Sequence, residues 1–146
     1  MVNVLQSVIM TKGKEMVLTP TYYVYKMYSV HQDVRLVPIN LKSDSYTYKG
    51  DSIPSISSSA SLKDGVMSIT LCNLNPDKAE TLECDIPNVQ YRQASGKIVD
   101  GKTMDSYNDL GKKEEVALSD FSVEKPKNGK LNITLPAHSV VLVQLK

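Results

Sequence analysis

Apolar residues follow two different patterns along this chain, and the change comes near residue 33. Val2, Val4, Leu5, Val8, Ile9 and Met10 form an apolar run broken only by Asn3, Gln6 and Ser7. A run this short is either a buried strand or the start of a buried helix, and periodicity does not choose. Residues 11–15 are a polar loop with a turn glycine, Gly13. The stretch from Leu18 to Tyr28 then reads as one amphipathic helix, which His31 ends. Thr19 suits the N-cap because its hydroxyl can accept from first-turn N–H groups. Pro20 fits the first helical position, where its missing N–H loses no bond. Tyr23, Val24, Met27, Tyr28 and His31 recur at three and four residues and make one face; Lys26 and Ser29 fall off it.

From Asp33 onward the period is two. A strand is predicted over residues 34–41, then a Ser-rich loop with an irregular edge strand at Tyr46–Tyr48. Ile56, Ser58, Ala60 and Leu62 can share one face. Asp64-Gly65 is a hairpin signal leading into a strand over 66–72. A turn at 73–77 precedes a strand over 79–86. Residues 89–99 read as a further strand and turn, and 100–115 as a long polar loop. Short strands follow at 117–118 and 121–123. Asn128-Gly129 is predicted to join Val123 to a strand over 130–135, and the last strand covers 139–145. Many short strands between turns indicate an all-β, antiparallel sandwich, in which each sheet covers the other's apolar face. No strand–helix alternation follows residue 33, which argues against a parallel sheet.

The 146 residues suffice for one domain with a real core. Seventeen Lys and Arg against sixteen Asp and Glu leave a net charge of +1, so no basic field exists to attract nucleic acid. No apolar run approaches the ~20 residues that cross a membrane, and Met1-Val2-Asn3 lacks the positive start of a signal peptide. Cys72 and Cys84 flank a turn. They are read as two small buried apolar residues, with a cross-hairpin disulfide as the alternative. They do not make a zinc site on their own.

Glycoside chemistry needs two carboxyl groups across a sugar, ~5–5.5 Å apart for retention. Glu15, Glu114, Glu115 and Glu124 lie in charged or polar stretches, and Glu80 and Glu83 are read as a strand's solvent face. None has the apolar setting of a catalytic acid. His31 ends the helix, where a cation suits the dipole. His138 adjoins Ser139, but no nucleophile elbow surrounds them. The helix tyrosines Tyr22, Tyr23, Tyr25 and Tyr28 read as a docking face, whereas Tyr46, Tyr48, Tyr91 and Tyr107 are scattered. The sequon Asn132-Ile133-Thr134 falls within a predicted strand and reads as a chance match. No catalytic, cofactor-binding or metal-binding residue is assigned.

Two segments carry a resemblance. Val2-Asn3-Val4-Leu5-Gln6-Ser7-Val8-Ile9-Met10-Thr11, followed by Leu18-Thr19-Pro20-Thr21-Tyr22-Tyr23 and the exit His31-Gln32, resembles the end of the catalytic barrel in α-L-arabinofuranosidases of glycoside hydrolase family 51. Leu135-Pro136-Ala137-His138-Ser139 resembles that family's closing strand. Asp105-Ser106-Tyr107-Asn108 is a looser echo of its Asp-x-x-Asn-Thr-Phe loop, from which Asp109-Leu110 departs. The resemblance implies a (β/α)8 barrel followed by a jelly-roll-like sandwich, and a retaining activity on terminal arabinofuranose of arabinoxylan or arabinan. Its catalytic glutamates lie on earlier barrel strands, and no residue here matches their motifs. Residues 1–32 are then the last strand, loop and helix of the barrel, and 33–146 the C-terminal sandwich. The implied partner is the chain's own barrel domain, and about 350 or more residues are expected upstream from barrel size. Without a barrel, the helix stripe is expected to fold back on the sandwich, pair with a second copy into a homo-oligomer that Met27→Asp disrupts, or fray. An independent carbohydrate-binding module is the alternative reading.

Overall fold

The computed structural model describes residues 7–86 and 91–146. Strands β1 (Ile9–Lys12) and β2 (Glu15–Leu18) form a hairpin, which leads into helix α1 (Pro20–Tyr28) and a 3-10 turn at Ser29–His31. Ten strands follow: β3 (Arg35–Leu36), β4 (Ser45–Tyr48), β5 (Asp51–Pro54), β6 (Ile56–Lys63), β7 (Val66–Asn73), β8 (Glu80–Asp85), β9 (Ala94–Asp100), β10 (Leu118–Phe121), β11 (Lys130–Leu135) and β12 (Ser139–Leu145). Every named pairing is antiparallel.

The main sheet has six strands in the order β10-β9-β12-β7-β6-β3. The last strand of the chain therefore lies inside the sheet, bonded to β7 on one side and β9 on the other. Its sequence explains the position. Val140 to Val143 is apolar without a break, as a strand buried on both faces requires. Side chains alternate across a strand, so Val141, Val143 and Leu145 enter one core while Leu142 enters another. The first core lies under the two-stranded sheet β8-β11, whose Leu82, Leu131, Ile133 and Leu135 pack on Ile69, Leu71 and Ile98. On the opposite face α1 lays Tyr23 and Met27 over Val99, Val116 and Leu142. The fold is an antiparallel β-sandwich of unequal sheets, with the helix as a third layer.

Asp64 and Gly65 take φ of 49° and 78° and turn β6 into β7, the paired positive angles that an Asp-Gly hairpin needs. Other expectations are corrected. Only Arg35 and Leu36 of the predicted 34–41 strand pair with β6, followed by one bond from Val37 N to Ala60 O. Pro38 has no N–H with which to continue the ladder. The two short segments near 117–123 form a single strand, β10. Asn128 and Gly129 do turn, with φ of 53° and 77°, but the turn closes only at Lys127 and Lys130. β11 pairs instead with β8, Leu131 opposite Cys84 and Ile133 opposite Leu82, because that match turns both strands' apolar residues inward. The strand predicted from residue 89 starts at Ala94; residues 87–90 lie outside the described set, as do residues 1–6 of the leading apolar run.

Cys72 and Cys84 sit on strands of different sheets, and both thiols are free. Burial raises the pKa of each. Of the three fates expected for the helix stripe, folding back on the sandwich is the one seen within this chain, where Met27 is 2% exposed.

Gly96 marks a close approach, not a turn. A Cβ there would stand 2.5 Å from the Phe121 carbonyl oxygen and 2.7 Å from Val123 Cγ2. The expected result for Gly96→Ala is a loss of about 1–3 kcal/mol in urea unfolding, since backbone cannot yield as a side-chain tip would. An unchanged midpoint would show that β10 is free to shift.

Candidate functional site

Several polar side chains meet at the seam between α1 and the main sheet. Thr19 has the extended backbone of a cap (φ −81°, ψ 164°) but makes no side-chain bond to the helix. Its hydroxyl is directed to the Ser7 and Val8 carbonyls at 2.9 and 3.0 Å, tying the start of the β1–β2 hairpin to the helix entrance. Asn108 is the hub on the loop side. Its Nδ2 donates to the Leu18 carbonyl at 2.8 Å and the Val116 carbonyl at 2.7 Å. Its Oδ1 accepts from the Glu115 and Val116 amides. The sequence alone showed Asn108 only as an echo of a family loop; the 90 positions that separate it from Leu18 hid the contact.

Tyr23 donates its hydroxyl to the Glu114 carboxylate, and its ring meets Tyr22 edge-on with centroids 5.3 Å apart. Burial first, then the Glu114 carboxylate, push its pKa up to about 12. The tyrosine face is thus partly borne out: Tyr23 is buried, while Tyr25 is 67% exposed. His31 is not left free at the helix end but is bonded to the sheet. Its Nδ1 lies 2.7 Å from Ser61 Oγ and its Nε2 3.0 Å from Thr70 Oγ1. Burial lowers its pKa. The sheet face under α1 is therefore apolar beneath Tyr23 and Met27 and hydroxyl-lined beneath His31.

The glutamates lie in separate surroundings. Glu83 pairs with Lys130 at 2.7 Å across β8-β11, and Glu124 with Lys127 at 3.3 Å. Glu115 accepts from Ser106. Glu15 is exposed at the start of β2. Glu80 departs from the predicted solvent face: its side chain is only 11% exposed, held by Asn75 Nδ2 at 3.1 Å and Lys78 Nζ at 3.4 Å. It has the same parity as Leu82 and points inward at the strand's end. The Ser139 hydroxyl donates to the Pro136 carbonyl at 2.7 Å, so it is engaged away from His138. Among the described residues no group of three His, Cys, Asp or Glu could hold a metal ion, and no helix is long and apolar enough to cross a membrane.

Two outcomes test the seam. Asn108→Ala removes donors and acceptors from four backbone groups, and the expected loss is roughly 2–4 kcal/mol in urea unfolding, at 1–3 kcal/mol per buried orphan. A loss below 1 kcal/mol would mean that water replaces the amide. His31 has a depressed folded pKa, so the unfolded chain binds its proton first as pH falls. Its stabilising contribution is present above pH ~6.5 and is lost as pH falls towards the folded pKa. Thermal unfolding between pH 7.5 and 5.5 should show a smaller loss in His31→Gln than in the parent chain; equal slopes would refute the assignment.

The profile of the α-L-arabinofuranosidase C-terminal domain matches residues 1–139. An intracellular exo-α-L-arabinofuranosidase of Bacteroides ovatus is 40% identical over 147 residues, which cover 99% of this chain and 29% of that protein. The crystal structure of the GH51 arabinofuranosidase from Xanthomonas axonopodis pv. citri superposes with a TM-score of 0.91 at 34% identity, over 100% of this chain and 30% of that one. The thermostable GH51 α-L-arabinofuranosidase from Thermotoga petrophila shares the fold at a TM-score of 0.80 and 17% identity, over 95% of this chain and 31% of that one. The chain thus spans about three tenths of the length of these relatives. A match over nearly the whole chain, on a β-sandwich of the kind that the sequence resemblance implied, places this chain in the α-L-arabinofuranosidase C-terminal domain family of glycoside hydrolase family 51.

Proposed function

We propose that this chain is the non-catalytic accessory sandwich of a retaining α-L-arabinofuranosidase, and that its work is structural. On this reading residues 1–32 are the last strand, loop and helix of the catalytic barrel, and 33–146 the sandwich that braces it. The observation that carries the proposal is the α1 seam. The inner face of the helix is committed to the sandwich through Tyr23 and Met27, while Val8, Ile9, Met16 and Tyr25 of the same leading segment are 40%, 42%, 63% and 67% exposed. A segment with one face buried and apolar residues left on its outside suits a position between two bodies. The span of three tenths of the relatives' length supports a larger body on the outer side.

The division of labour follows from the carboxylates. Hydrolysis with retention needs a nucleophile and an acid flanking one bond. Here Glu83 and Glu124 are neutralised by lysines, and Glu80 and Glu114 are bonded into turns or the helix seam. The groups that cleave arabinofuranose from arabinan or arabinoxylan would then come from the barrel, with the sandwich holding the barrel's final helix in place. The expected outcome for the purified 146-residue chain is no release of arabinose from arabinoxylan, debranched arabinan or an aryl arabinofuranoside. Release above a chain carrying Glu80→Gln and Glu114→Gln would overturn the reading.

A further inference from the structure

A groove of about 350 Å³ opens where α1, the loop after β9 and the β4–β5 hairpin meet. Cys72, Val99 and Val140 line it from the main sheet, Pro20 and Val24 from the helix. Met104, Ile53 and Leu74 also border it and are 72%, 46% and 36% exposed. Three large apolar side chains exposed around one groove are more than scattered surface residues, and such a patch marks a contact. We propose that this groove seats an apolar side chain from the polypeptide that precedes this chain in its longer relatives, which locks the sandwich against the catalytic body. The proposal rests on the accessory-domain reading above.

The chemistry of the walls selects an apolar guest. Most polar side chains lining the groove are already engaged within the chain. Asn73 Nδ2 donates to the Lys78, Leu135 and Pro136 carbonyls, and its Oδ1 accepts from Asn75 N. Ser139 donates to Pro136, and Ser106 to Glu115 while accepting from Thr103 N. Asp100 and His138 also border the groove, but Asn73, Ser106 and Ser139 have little left to offer a sugar's hydroxyls, whereas a methyl or an aromatic ring on the apolar wall releases water from both surfaces.

The direction of the chain selects the source. Ser7 is tied by its carbonyl to Thr19, and Thr19 immediately precedes Pro20 in the groove wall. Polypeptide arriving at Ser7 therefore enters the fold beside the groove. The relatives carry about seven tenths of their length outside the matched region. A tethered segment acts at an effective concentration near the millimolar range, so one modest apolar contact suffices, which a free second copy would not match.

The test joins the preceding portion of the Bacteroides ovatus relative to this chain and compares thermal unfolding of the joined and isolated forms. Ile53→Glu and Met104→Glu probe the groove; Leu36→Glu, at a residue 75% exposed on β3, is the control. In the isolated chain all three should leave the midpoint within about 1–2 °C, as surface changes do. In the joined polypeptide the two groove variants should lower the midpoint by about 2–4 °C or more while Leu36→Glu does not. A joined form that melts as one unit and is indifferent to the groove variants overturns the groove and leaves the accessory role standing. A joined form whose two parts melt independently overturns both. Sedimentation of the isolated chain as a dimer broken by Met104→Glu would assign the groove to a second copy and overturn the proposal.

Discussion

A β-sheet buried on both faces must find two covers, and the rest of this structure follows from how it does so. β12 lies inside the main sheet with its odd-numbered apolar residues on one side and Leu142 on the other. Fully burying each such side chain contributes roughly 1.5–3 kcal/mol, which neither face can forgo. The β8–β11 pair supplies one cover. The helix supplies the other, and it does so with only two deeply buried side chains, Tyr23 and Met27. The sandwich in this chain is therefore incomplete without its leading helix, even though that helix resembles part of a different body.

Because the second cover is small, polar contacts fix its position. Asn108 bonds both the end of β2 and its own loop, Tyr23 reaches Glu114, and His31 sits between Ser61 and Thr70. Buried polar groups of this kind are satisfied or costly. They allow one depth and one rotation of α1 against the sheet, where apolar packing alone would tolerate several. Rigid placement of this helix is what the proposed bracing role needs, since small displacements of a barrel's elements would reach an active site built from strand ends.

The same accounting applies to the glutamates. The acids are spent on local structure: Glu80 inside a turn with Asn75 and Lys78, Glu83 against Lys130, Glu114 on the helix tyrosine. The chain spans only about three tenths of its relatives, so family membership does not by itself require an acid pair within these residues.

What the sequence by itself determined was local. The helix over Pro20–Tyr28 follows from Pro20 and the three-four spacing, and the β6–β7 turn from Asp64-Gly65, because both are set by backbone sterics within a few residues. The Lys49-Gly50 turn between β4 and β5 lacked that signal, since a lysine at φ 51° announces nothing. Tertiary structure decided what depended on a partner far along the chain. β11 pairs with β8 and not with the residues before Asn128-Gly129, because only β8 offers inward leucine and cysteine in register. Thr19 bonds back to Ser7 and Val8 and leaves the helix uncapped by its side chain. Asn108 and His31 gain their roles from residues 90 and 30 to 39 positions away. Periodicity records which side of an element is apolar; it holds no information on which distant surface covers it, and that choice is made only when the whole chain packs.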